Sequence, residues 1–148
     1  MIKYKVNKYD NTFCIDRIDN ISNFNDVAKD SMKQLIISFN EEYKWDDMFS
    51  YEDIIGRLES NHILFILYFK QSPIGYVFFR ELDSTTTFLY NLYVSRKIHR
   101  DNSVPLLFVN RVCSEMFEVY DDIKLECEDW NIAAQKLFES LSFKKIND

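Results

Sequence analysis

The sequence predicts an α/β (α+β) chain built on one mixed sheet, and three observations carry that reading. Three consecutive apolar runs, His62–Lys70, Ile74–Leu82 and Thr85–Val94, are separated only by the short turns Gln71–Pro73 and Asp83–Ser84. Segments with helical spacing lie on both sides, from Asn23 to Tyr43 and from Ser103 to Tyr120. A crossover of about 25 residues then leads to a short strand at Ile123–Glu128, the length a parallel connection requires. The expected sheet has antiparallel central strands flanked by helices, with Ile123–Glu128 parallel to the last of them. No repeat, low-complexity tract or Pro/Gly/Ser linker interrupts residues 1–148, so the chain reads as a single domain.

Each element has its own local signal. Ile2–Val6 alternates with period two and Thr12–Ile18 does so loosely, a first strand or hairpin. Asn23 is a plausible N-cap for a helix whose stripe is Val27, Met32, Leu35, Ile36 and Phe39. Ser50 opens a second helix with Glu52 and Asp53 in its first turn and Ile54, Ile55 and Leu58 as its apolar side. His62–Lys70 is a near-continuous apolar and aromatic run, as in a strand covered on both faces. Ser103 is a candidate N-cap with Pro105 in the first turn, where a missing N–H costs nothing. A helix from about Asn131 to Leu141 carries the stripe Ala134, Leu137, Phe138 and Leu141, and Phe143 would begin a last strand.

Composition narrows the function classes. A formal charge of −6 argues against a broad grip on nucleic acid or anionic lipid. No segment approaches the ~20 apolar residues of a membrane span, and the charged, alternating N-terminus does not resemble a signal peptide. Cys14, Cys113 and Cys127 form no paired framework or metal spacing, so the chain reads as soluble, cytoplasmic and free of metal, with its cysteines as small core residues. Only Gly56 and Gly75 occur, where average usage would give roughly ten. A glycine-rich phosphate cradle is therefore missing, and turns must be made by other residues.

Three constellations could carry chemistry. Val94–Pro105 runs from a strand through Arg96, Lys97, His99 and Arg100 into a helix start, where unpaired N–H groups favour phosphate. The plain alternative is a solvated loop before a capped helix. Asn131–Phe143, taken alone, is a structural helix with Asn131 as its N-cap. Glu126 and Glu128 point the same way from their strand, and a carboxylate there could deprotonate an amine directly or through water. His62 and His99 show no triad or metal partner.

The element order and two spacings together resemble the GNAT acyltransferase family, the acetyl-CoA-dependent N-acetyltransferases, over about Asn23 to Phe143. That family shows N-x-x-A-x-x-x-Y-x-x-x-G-F in its last helix, and this chain has Asn131, Ala134, Phe138, Ser142 and Phe143 at those places. Pro73-Ile74-Gly75-Tyr76-Val77 resembles the family's third strand, and Leu92-Tyr93-Val94 the end of its fourth. The resemblance implies a pantetheine arm between parting strands, bonded to the backbone near Leu92 and Val94. It implies pyrophosphate on a loop of type Q/R-x-x-G-x-G/A. In one register that loop uses His99, Asn102 and Val104; in the other it uses Arg100, Ser103 and Pro105. Both registers lose both glycines. The family's tyrosine, often the acid that protonates the departing thiolate, is Phe138 here.

The leading expectation is therefore acetyl transfer from acetyl-CoA to an amine of a small molecule or protein. Glu126 is the candidate base and Tyr90 an alternative acid; Leu92, Val94, His99, Arg100, Asn102, Ser103, Val104, Asn131 and Phe138 would hold the co-substrate. The rival is a catalytically inactive module of the same fold, such as a regulatory subunit or virus-particle component. The many aromatic residues suit a homodimer or protein interface as well as a core. A nucleic-acid-binding domain is the weakest reading, because the overall charge has the wrong sign.

Overall fold

The computed structural model describes residues 1–4, 13–43, 50–97 and 103–146. The elements are β1 (Phe13–Ile18), α1 (Asp26–Glu42), α2 (Tyr51–Leu58), β2 (His62–Phe69), β3 (Ser72–Glu81), β4 (Thr86–Val94), α3 (Ser103–Met116), β5 (Asp122–Lys124) and α4 (Ile132–Ser140). The strands form one five-stranded sheet in the order β1-β2-β3-β4-β5. β1 to β4 pair antiparallel and β5 joins β4 in parallel, as the turns and the long crossover predict.

Helices cover both faces. α1 and α2 lie over Ile18, Leu64, Ile66, Tyr76, Phe78 and Tyr93. On the other face α3 and α4 lie over Phe65, Leu67, Val77, Phe79, Leu89 and Val94. This explains the unbroken apolar run of β2: successive residues enter two different cores. α2 starts on a capping box, in which Ser50 Oγ accepts from Asp53 N at 3.3 Å and Asp53 accepts from Ser50 N at 3.0 Å.

Several boundaries differ from the sequence reading. Asn25, not Asn23, caps α1, its side-chain oxygen accepting from Ala28 N at 2.9 Å; Asn23 ends a 3-10 turn at Ile21–Asn23. Residues 2–4 carry no strand, and 5–6 lie outside the described residues. The β2–β3 turn is Lys70-Gln71, both at positive φ (47° and 69°), so Pro73 sits inside β3 beside a bulge. β5 stops at Lys124 instead of Glu128, because only Thr86–Phe88 of β4 lie alongside it. No strand starts at Phe143, whose N–H is taken by Phe138 O at 3.0 Å to close the end of α4. The cysteine expectation holds for Cys113 alone, where burial pushes the thiol pKa up to about 12; Cys14 and Cys127 are exposed.

Candidate functional site

The site begins where β4 and β5 part. Their pairing ends at Phe88↔Lys124, while β4 continues along β3 to Val94. Beyond Phe88 the outer side of β4 has left its neighbour. At the same place the β3–β4 register shifts between Tyr76 and Phe78, and Asn91 takes φ 52°. This bulge adds a residue and reverses the alternation of side chains. Leu89 faces α3 and Tyr90 faces α2, but past the bulge Leu92 and Val94 face α3 and Tyr93 faces α1. A strand without it would send Tyr93 to the side of Leu89.

Backbone direction follows from one bond. Ser95 N donates to Ile74 O at 2.7 Å, so the N–H groups of Ser95 and Tyr93 turn to β3 and those of Leu92 and Val94 turn to the parted side. Gly75 makes this approach possible. A Cβ there would stand 2.6 Å from Tyr93 O, closer than real contacts allow.

The end of β4 is clamped from α1. Glu42 Oε1 accepts from Ser95 Oγ at 3.1 Å and from Arg96 N at 3.0 Å, while the Arg96 guanidinium lies 4.5 Å over the Tyr43 ring. Among the described residues, the other carboxylate oxygen, Oε2, and the Tyr93 hydroxyl are both buried and find no hydrogen-bond partner of good geometry. Burial, then the nearby Glu42 carboxylate, raises the Tyr93 phenol well above its ordinary range. No local pattern pointed to Glu42, which is 53 residues from Ser95. One signal was available: Glu41-Glu42 sits at the C-terminal end of a helix, where the dipole disfavours a negative charge unless a partner is found.

The residues named from sequence are distributed as follows. Tyr90 is half-buried on the α2 side, and burial raises its phenol pKa against the opposing effect of Arg57 and Arg80. Leu92 and Val94 pack into the α3 core beside the parted edge. Ser103 is already the first residue of α3, Val104 packs against the core and Pro105 is buried in the first turn. His99, Arg100 and Asn102 lie outside the described residues. Glu126 and Glu128 are exposed and follow the end of β5, so the shared strand face expected for them is not formed. Asn131 does cap α4, accepting from Ala134 N at 3.1 Å. Phe138 is buried in the same cluster as Val94 and meets Phe143 edge-on at 5.5 Å.

A groove of about 770 Å³ runs along the other side of β5, lined by Cys113, Phe117, Leu125, Glu126, Phe138 and Ile146. Its lining includes neither Leu92 nor Val94, but it does include Glu126 and Phe138. Among the described residues no three His, Cys, Asp or Glu side chains gather as a metal would need. No helix among them is long and apolar enough to cross a membrane.

Comparison with known proteins agrees with this architecture. Residues 24–143 match the acetyltransferase (GNAT) family model. A probable acetyltransferase of known structure superposes with a TM-score of 0.74 at 16% identity, over 90% of this chain and 91% of that one. An aminoglycoside acetyltransferase from an uncultured soil metagenomic sample, in complex with sisomicin, gives 0.68 at 15% identity over 93% and 94%. A ribosomal-protein-alanine N-acetyltransferase from Brucella melitensis biovar Abortus 2308 gives 0.68 at 12% identity over 92% and 94%. At these identities the likeness shows the fold. No curated protein sequence matches the chain.

Proposed function

The chain belongs to the acetyltransferase (GNAT) family, and we propose that it transfers an acetyl group from acetyl-CoA to an amine in the cytoplasm. One observation carries this reading: β4 leaves β5 after Phe88 and, through the bulge at Asn91, turns the N–H groups of Leu92 and Val94 to the parted side. Donors fixed in a strand suit both the amide-like arm of the co-substrate and the oxygen of its thioester carbonyl.

In this reading the amine attacks the thioester carbon, a C–N bond forms and the C–S bond breaks. The proton lost by the amine goes to Glu126 or a water it holds, and the thiolate takes one from Tyr90 or solvent. Tyr90 is protonated at neutral pH as any phenol is, although the burial that raises its pKa makes it a weaker proton donor. Ser103 and Val104 at the start of α3 would face the phosphates, with His99 and Arg100 supplying charge and Asn102 a turn. Asn131 and Phe138 would border the thiol end, Phe138 keeping the ring of the family's tyrosine without its proton.

Millimolar acetyl-CoA tests the binding half. At about a hundred times its dissociation constant it should stabilise the protein by ~2.7 kcal/mol, a rise of roughly 5–10 °C in melting temperature. No rise would leave a module that keeps the fold for contacts. Phe138→Tyr tests the chemical half: it should speed acetyl transfer, followed as free thiol, because it returns a proton donor. An unchanged rate would mean that thiolate protonation is not limiting.

A further inference from the structure

Leu92 and Val94, whose N–H groups turn to the parted side, lie between two clamps set from the helices of one face. Beyond them Glu42 of α1 holds Ser95 and Arg96. Before them Arg57, in the last turn of α2, reaches the bulge. The Asn91 amide oxygen, in the orientation that satisfies both groups, accepts from Arg57 Nη1 at 2.6 Å and from Nη2 at 2.8 Å. A guanidinium that gives two N–H groups to one oxygen fixes that oxygen in its own plane. The same guanidinium lies 4.8 Å from the centre of the Phe78 ring and 4.9 Å from that of Tyr90. Phe78 and Tyr90 stand opposite each other, the last pair on β4 before the bulge. Arg80, in the line His62–Arg80–Phe88–Lys124 that crosses the sheet in register, lies over Tyr90 at 6.0 Å. Arg57 thus rests on the pair before the bulge and holds the residue inside it.

The bulge needs such a tether. Asn91 has φ 52°, a conformation that asparagine takes more readily than most residues but still at a cost. The ladder is disrupted at an inserted residue, and Asn91 is exposed, so neither pairing nor packing secures it. Leu92 follows it directly, and the direction of its N–H depends on how Asn91 turns. With phosphates at the start of α3, the arm of the co-substrate passes Val94 before Leu92, and the thioester lies at the Asn91 end.

We propose that Arg57 is a positioning residue for acetyl transfer: through the Asn91 side chain it fixes the bulge, and with it the Leu92 N–H that meets the thioester carbonyl. The role rests on the acetyltransferase reading above. Arg57 touches none of the reacting atoms; it acts through Asn91. A donor fixed beforehand needs no reorganisation as charge develops on the carbonyl oxygen, and α2 contributes to the reaction in that way.

Three variants separate the bond from the conformation. Asn91→Gly takes the positive φ without strain and removes the bond. Asn91→Asp keeps an oxygen for the guanidinium. Arg57→Lys keeps the charge and loses the fork. Backbone order parameters from nitrogen relaxation read the bulge without any ligand. The value at Leu92 should fall in Arg57→Lys and Asn91→Gly and stay as in the wild type in Asn91→Asp. Calorimetry with acetyl-CoA and with CoA then reads the role. Arg57→Lys and Asn91→Gly should weaken acetyl-CoA at least fivefold more than CoA, which has no acetyl carbonyl, and Asn91→Asp should bind both as the wild type does. The two weakening changes combined should cost no more than either alone, because they remove one bond. Order at Leu92 that survives both Arg57→Lys and Asn91→Gly overturns the proposal and leaves the acetyltransferase reading. So does an equal loss for acetyl-CoA and CoA, the mark of a merely structural contact. A wild-type protein that binds neither, with Leu92 loosened in the variants as expected, removes that reading and the role with it.

Discussion

The two faces of the sheet are made of different chemistry. Under α3 and α4 the buried layer is Phe65, Leu67, Val77, Phe79, Leu89, Phe108 and their neighbours, and Phe65 meets Phe79 edge-on at 5.7 Å. Under α1 and α2 tyrosines reach the same depth: Tyr76 and Tyr93 are buried, Tyr68 donates to Ser31 Oγ at 2.9 Å, and Arg57 crosses Tyr90. One face is apolar. The other carries hydroxyls, guanidiniums and a carboxylate, which are costly to bury and useful to a reaction. β4 serves both faces because its bulge at Asn91 chooses which side chain goes where.

The sharpest way to break this comparison is to damage the apolar face alone. Phe79 is fully buried, so Phe79→Ala should cost about 3–5 kcal/mol in a denaturant titration, transfer and cavity terms together. A loss below about 1 kcal/mol would show that the α3 face is loosely packed, and the contrast between the faces would fall.

Gly75→Ala acts where the two faces meet. The added methyl would collide with Tyr93 O and press on Val94. The expected cost is about 1–3 kcal/mol, as in overpacking. Because the strain falls on the end of β4, acetyl-CoA affinity should drop further than in a Phe79 variant of equal residual stability. Equal affinities in the two variants would separate the end of β4 from the binding site.

How much of this was legible follows from where each cause lies. The meander of β2, β3 and β4 could be read because its runs and turns are local, and so could the Ser50–Asp53 cap. The three-residue length of β5 could not, since Leu125 and Glu126 are as fit for a strand as Ile123; what they lack is a β4 neighbour. The Asn91 bulge left no period break strong enough to see within an aromatic run. Glu42 was hidden by separation, its partners being Ser95 and Arg96 on another element. The candidate site residues named from sequence came from the local chemistry of Glu126 and the basic loop and from the family resemblance, while the line His62–Arg80–Phe88–Lys124 exists only once strands are in register.

The smallest effect concerns a glycine that the chain does without. α4 ends in a closed turn: Ser142 N donates to Glu139 O and Phe143 N to Phe138 O, each at 3.0 Å. These two bonds require residue 142 in the left-handed region, and Ser142 has φ 70°. An L residue with a Cβ is strained there, whereas glycine is not. Ser142→Gly should therefore stabilise the protein by about 0.5–1 kcal/mol, even though glycine gives the unfolded chain more freedom. That is a rise of roughly 1–4 °C in melting temperature. The turn carries Phe143 against Phe138, the ring proposed to border the thiol end, and the substitution keeps both rings and the turn that seats them, so acetyl-CoA affinity and any transfer rate should stay as they are. A stabilised variant with altered affinity would mean that the turn at Ser142 itself sets the position of Phe138 against the co-substrate.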